Sequence, residues 1–322
     1  MNLLLQIFLL AIGFTMLVKG ADWFVDGAAG LAAKFGIPQL VIGLTIVAMG
    51  TSAPEAAVSI TSALKGNAGI TVGNVLGSNI LNILIILGVT LLITKIAFSA
   101  SVLRFDLPYM LAISLLFLIF GYTNHQLVFG EGLALLLLFA AYIGQMCWNA
   151  VKQSRAAGNT TETSNTGEGG LPSGELSLLR LLGAILIGLA LVIFGSNISV
   201  NAATEIAKQL GMSERFIGLT IVALGTSLPE LFTSVSAALK GQSDISIGNI
   251  IGSNIFNILF VAGLTAVITP VPFEAHFVVD AAFAIASGIL LGLLAFRRHL
   301  LVRWHGILML AAYAGYFIYL IR

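Results

Sequence analysis

Cysteine, histidine and charge are what this 322-residue chain has least of. A single cysteine, Cys147, excludes an intramolecular disulfide and, sitting in an apolar run, is expected to pack as a small side chain. Four histidines, none inside the polar motifs described below, exclude the His/Cys donor sets that zinc and copper favour. Only 9% of the residues are charged and the net charge is +1, so the chain offers no electrostatic grip on nucleic acid or on an acidic partner. In place of charge, 58% of the residues are hydrophobic and the mean hydropathy is +1.03, more apolar surface than a water-soluble domain could cover. The chain belongs in a bilayer. No basic stretch precedes the first apolar run and no small-residue cleavage site ends it, so the start is expected to be a retained helix and not a removable signal.

Ten apolar runs are each long enough, as helices, to cross a hydrocarbon core about 30 Å thick. They lie near 3–33, 38–63, 70–94, 105–123, 131–151, 178–208, 214–238, 245–268, 277–296 and 304–321. Runs such as 133–141 show no apolar/polar alternation, which favours helices over a barrel. The first and sixth exceed an upright span and are expected to tilt.

Residues 36–82 align without gaps onto 211–257 with 26 identities in 47 positions. GLTIVAMGTSAPE at 43–55 answers GLTIVALGTSLPE at 218–230, and GNVLGSN at 73–79 answers GNIIGSN at 248–254. Five helices per copy is an odd number, so the second copy must enter the membrane from the opposite face. The expected fold is therefore an all-α polytopic membrane protein of ten transmembrane helices in two inverted five-helix repeats, 1–152 and 178–322. They are joined by a flexible, polar cytoplasmic linker at 153–177. Ten Lys/Arg fall on the inner side against four outside if the N-terminus is outside, which sets the expected orientation.

Glu55 and Glu230 occupy equivalent positions within long apolar segments, where a carboxylate costs roughly 2.5–3.5 kcal/mol unless it faces a cavity or an ion. Neither has an obvious intramembrane cationic partner; Lys65 and Lys240, at the ends of the same runs, read as snorkelling anchors. Pro54 and Pro229 each precede a glutamate and free the carbonyls of Gly50 and Gly225, with the Thr51 and Thr226 carbonyls at the break. Asn74, Ser78 and Asn82 share one helical face by their spacing of four, as do Asn249, Ser253 and Asn257. With the hydroxyls of Thr51, Ser52, Thr226 and Ser227, the inventory holds only oxygen donors. That suits Ca²⁺, which takes six to eight oxygens, and Na⁺, which accepts the same ones. Two carboxylates neutralise one Ca²⁺ or are shared by several Na⁺, a physical route to mutually exclusive occupancy.

These paired G-T-S-x-P-E and G-S-N-I motifs resemble the α-repeats of the calcium/cation antiporter superfamily, and over nearly its full length the chain looks like a prokaryotic sodium/calcium exchanger. The resemblance implies a secondary-active antiporter exchanging Na⁺ for Ca²⁺ by alternating access, with sliding of the first and sixth helices. It also implies an inner (plasma) membrane location. The ion ligands carry over to Thr51, Ser52, Glu55, Ser78 and Asn82 and to Thr226, Ser227, Glu230, Ser253 and Asn257. Some prokaryotic members have Asp where this chain has Asn257, so their coupling stoichiometry does not transfer. The alternative is Ca²⁺/H⁺ exchange through the same glutamates. Beyond the transported ions and lipid, no prosthetic group and no protein partner is expected. Neither Gly-x-Gly-Asp nor His-Glu-x-x-His is present, which argues against an intramembrane protease.

Overall fold

The computed structural model describes residues 3–158, 177–212, 223–296 and 299–321. Most of the expected linker and the first part of the seventh expected span, with Arg215, Arg297, Arg298 and Arg322, lie outside them.

Helix α1 (Leu3–Phe35) is followed by α2 (Gln39–Thr51) and α3 (Ala53–Leu64), one passage bent by 45° at Ser52. Then come α4 (Ile70–Ile93), α5 (Val102–Asn124) and α6 (Phe129–Gly158). The second half runs α7 (Leu178–Gln209), the short α8 (Ala223–Gly225), α9 (Leu228–Leu239), α10 (Ser243–Ile268), α11 (His276–Phe296) and α12 (Arg303–Ile321). Seven described helices are individually long and apolar enough to cross a membrane, and the bent α2–α3 passage makes an eighth. The expected run boundaries hold to within a few residues for the other described helices, but α6 continues to Gly158, seven residues past the expected end at 151 and into the stretch expected to be linker.

The two longest helices form their own layer. Glycines let α1 and α7 touch backbone to backbone: a Cβ on Gly13 would lie 2.9 Å from the Gly195 carbonyl, and one on Gly20 would lie 2.8 Å from that of Gly188. Rising numbers on α1 meet falling numbers on α7, so the helices run antiparallel, as inversion requires. Behind them α4 and α10 are the most enclosed spans, 72% and 83% buried, against 22% and 28% for α1 and α7. The asparagine/serine motifs thus sit on the two innermost helices, while Leu4, Phe8, Leu186 and Phe194 face outward from the outer pair.

The inversion is written into smaller contacts too. Two short antiparallel ribbons, absent from the sequence reading, pair β1 (Ile96–Ala97) with β4 (Leu300–Leu301) and β2 (Gln126–Leu127) with β3 (Val271–Pro272), each tying one half to the other. The residues at their turns, His125 (φ 52°) and His299 (φ 49°), are the two described non-glycines with positive φ, and each offers its carbonyl to the opposite half, to Phe273 N and Phe98 N. Helices α3 and α9 end alike at Gly66 (φ 82°) and Gly241 (φ 74°), where a left-handed turn lets the following amides close back on the last helical carbonyls. Asp106 accepts from Tyr142 at 3.1 Å and Asp280 from Tyr316 at 2.9 Å, equivalent buried pairs in the two halves.

Candidate cation site

Each glutamate stands in the first turn of a helix restarted just after a break. Ser52 (φ −83°, ψ 7°) and Ser227 (φ −89°, ψ 4°) leave helical geometry, and Pro54 and Pro229 then open α3 and α9, where a missing N–H costs nothing. The prolines therefore start the second half-helices. The break turns Glu55 and Glu230 toward α4 and α10, and both are buried, at 0% and 1% exposure. No Lys or Arg pairs with either among the described residues.

Hydroxyls surround the carboxylates from both halves. Ser52 donates to Glu230 Oε1 at 2.8 Å; Ser78 donates to Glu55 Oε1 at 3.3 Å; and Ser227 lies 3.4 Å from that same oxygen and 3.5 Å from Ser78 Oγ. Thr51, next to Ser52, donates to Asn249 Oδ1 at 2.9 Å. Ser253 Oγ lies 3.5 Å from the Ala48 carbonyl. Asn82 and Asn257 each begin a π-helical turn, Asn82–Ile86 and Asn257–Ala262, an irregularity that recurs at functional sites. Four buried oxygens at this centre have no partner: Glu55 Oε2, Glu230 Oε2, Asn82 Oδ1 and Asn257 Oδ1. All ten residues singled out in the sequence converge on this one region.

Several expectations need correcting. Asn74 and Asn249 act through their amide nitrogens, which donate to the backbone carbonyls of Glu55 and Glu230 and to Ser59 and Ser234, bracing the glutamate-bearing turns, while Asn249 Oδ1 is already taken by the Thr51 hydroxyl. The Gly225 carbonyl freed by Pro229 is taken by the Ser196 hydroxyl at 2.6 Å. Lys240 is no mere snorkelling anchor, because its ammonium lies 2.7 Å from Asp26 and 3.5 Å from Asp22 on α1. Cys147 is exposed on α6 and not packed. Sequence reading passed over Asn79 and Asn254, adjacent to the site serines but on another face, and over the Asp106 and Asp280 pairs, whose tyrosine partners lie 36 residues away.

Among the described residues a cavity meets the centre from one side. A cavity of about 500 Å³, lined by Pro54, Ala57, Asn197, Asn201 and Thr226, reaches the site on the side toward the C-terminal ends of α3 and α7. Thr226 is accordingly half-buried, while its equivalent Thr51 is fully enclosed. Bulk explains the difference: where the first copy has Ala53 and Ala57, the second has Leu228 and Phe232, which pack against Leu17, Ala21 and Val192.

The sodium/calcium exchanger protein family matches residues 5–148 and 180–322, one stretch per half. The putative antiporter CaxA of Alkalimonas amylolytica is 38% identical over 315 residues, covering 95% of both chains. The sodium/calcium exchanger MaX1 of Methanosarcina acetivorans is 32% identical over 347 residues, covering 97% of both. The inner membrane protein YrbG of Escherichia coli is 40% identical over 274 residues, 83% of this chain and 81% of that one. Among solved structures, the sodium-calcium exchanger NCX_Mj soaked with zero Na⁺ and Ca²⁺ superimposes over 100% of both chains with a TM-score of 0.84 at 31% identity.

Proposed function

The chain is an integral membrane cation antiporter belonging to the sodium/calcium exchanger family, and we propose that it exchanges Na⁺ for Ca²⁺ at the Glu55/Glu230 centre. Four unpartnered buried oxygens carry this reading. Each costs about 1–3 kcal/mol if nothing binds it, more for a charged group, so a cluster of four persists because a cation compensates it. Thr51, Ser52, Glu55, Ser78 and Asn82, with Thr226, Ser227, Glu230, Ser253 and Asn257, are the ligand set. With oxygens alone and a formal charge of −2, it accommodates one irregularly coordinated Ca²⁺, and the same atoms divided among several Na⁺ exclude it.

The two halves, 1–152 and 178–322 joined through 153–177, present the centre alternately to the two faces. With the N-terminus outside the membrane, the cavity beside Thr226 opens outward and the Leu228/Phe232 side is shut. Export against an assumed ~10⁴-fold Ca²⁺ gradient costs about 5.5 kcal/mol, and moving two charges against ~100 mV adds roughly 4.6 kcal/mol. Each Na⁺ entering down a tenfold gradient returns about 1.4 kcal/mol plus roughly 2.3 kcal/mol from the potential. Three Na⁺ suffice and two do not.

Purified protein in liposomes tests the reading. Na⁺-loaded vesicles diluted into choline are expected to take up ⁴⁵Ca²⁺, and Glu55→Gln or Glu230→Gln to abolish the uptake. Uptake driven by a pH gradient with no Na⁺ present would assign H⁺ as the counter-ion, and full activity in either Gln variant would sink the ligand assignment.

A further inference from the structure

Asn79 and Asn254 face each other where α4 crosses α10 at the centre of the molecule. Each amide donates to the other's backbone carbonyl, Asn79 Nδ2 to Asn254 O at 3.2 Å and Asn254 Nδ2 to Asn79 O at 3.3 Å. A backbone carbonyl can only accept, so these contacts fix which end of each amide is nitrogen. Each Oδ1 must then point the other way. There Asn254 Oδ1 accepts from Asn82 Nδ2 at 2.9 Å, and Asn79 Oδ1 accepts from Asn257 Nδ2 at 3.1 Å.

The consequence reaches the candidate site. An Asn82 or Asn257 amide held by its nitrogen cannot flip, and its oxygen is left without a partner, buried, one turn beyond Ser78 or Ser253. A flipped amide would present two N–H donors to a cation in place of a lone-pair oxygen. We propose that Asn79 and Asn254 are positioning residues that lock the site asparagines oxygen-first, and that they act crosswise: the second-half Asn254 sets Asn82, and the first-half Asn79 sets Asn257. This rests on Asn82 and Asn257 being cation ligands.

The test is equilibrium ⁴⁵Ca²⁺ binding to detergent-purified full-length protein, which does not depend on which ion drives transport. Asn254→Leu and Asn79→Leu are each expected to weaken Ca²⁺ binding about tenfold, the scale of one lost hydrogen bond to a ligand in a buried polar site. In an Asn82→Ala background, Asn254→Leu should add less than about twofold, yet keep its tenfold effect in Asn257→Ala; Asn79→Leu should show the mirror pattern. Asn254→Ala and Asn79→Ala, which insert no bulk, should reproduce the crossed pattern if the leucine variants fold poorly. Equal, additive losses in both backgrounds, or unchanged affinity with only a lowered melting temperature, would overturn the positioning role. A parent protein that binds Ca²⁺ but shows no Na⁺-driven flux would sink the exchange reading alone. A parent that binds no Ca²⁺ would sink both.

Discussion

Ser52 donates its hydroxyl proton to Glu230 across 2.8 Å, so a serine from one half serves the glutamate of the other, and Ser227 answers at 3.4 Å from Glu55. The two halves do not carry separate sites. Each contributes a carboxylate that is held by the opposite copy, and a motion that displaces one half against the other changes the surroundings of both.

Unequal lengths in that reciprocal pair give the first prediction. A hydrogen bond to a charged group contributes about 1.5–3 kcal/mol and weakens with distance. Ser52→Ala is expected to raise the KM for Ca²⁺ in Na⁺-driven uptake about tenfold or more, and Ser227→Ala distinctly less. Concentration-dependent ⁴⁵Ca²⁺ uptake checks the order; a larger effect at Ser227 would contradict it.

The equivalent Asp–Tyr pairs are expected to matter for stability and not for ion affinity. Tyr142→Phe leaves the buried Asp106 without its described donor, and Tyr316→Phe does the same to Asp280. Each should destabilise by about 1–3 kcal/mol, the cost of orphaning a buried acceptor. Thermal unfolding in detergent should fall by similar amounts in the two variants, while the KM for Ca²⁺ stays within about twofold of the parent.

How much of this the sequence disclosed follows from the range of the signals. Glu55, Glu230 and the serines and threonines beside them were legible because an acid in an apolar run is costly, and the same costly pattern occurs twice in one frame. Asn79 and Asn254 were not, since their partners lie about 175 positions away and a single G-S-N motif says nothing about what its asparagine faces. Lys240 has the same character: at the end of an apolar run it looks like an anchor, and only the packing of α9 on α1 brings Asp22 and Asp26 to it. The two-residue ribbons lack any periodicity to read, and the π-helical turns at Asn82 and Asn257 depend on packing between the halves.

The glycine contact between α1 and α7 sets a limit on substitution. A Cβ at Gly188 would come within 2.5 Å of the Phe24 amide nitrogen, a clash with backbone that no rotamer change relieves. Gly188→Val is expected to force the two helices apart at a cost of about 1–3 kcal/mol or more. It should impair exchange more than Gly183→Val, since Gly183 lies on the same helix with nothing within 4 Å of its Cβ position. Side-by-side flux and melting measurements on the two variants check this; equal impairment would mean that the contact is no bearing.

On the shut side, Lys240 joins α9 to Asp22 and Asp26 of α1, and Ser236 donates to Asp22 at 2.7 Å. The equivalent positions in the repeat are Lys65, Asn197 and Asn201, so the lysine persists while both acids become amides. At these equivalent positions an ion pair can therefore form on the Lys240 face and not on the Lys65 face, which favours closure of the Lys240 face. The side chains are 28% to 64% exposed, so solvent screening holds the bias to about 0.2–1 kcal/mol. Lys240→Gln is expected to raise the fraction open on that face by no more than about fivefold, and about 1 M salt should partly mimic it in the parent. The readout is labelling of a single cysteine placed at Leu228, in a Cys147→Ala background, by a membrane-impermeant maleimide applied from the Lys240 side. Faster labelling in Lys240→Gln, with no change in Lys65→Gln, supports the one-sided latch. Equal acceleration in both would show that the lysines act only as general surface charge.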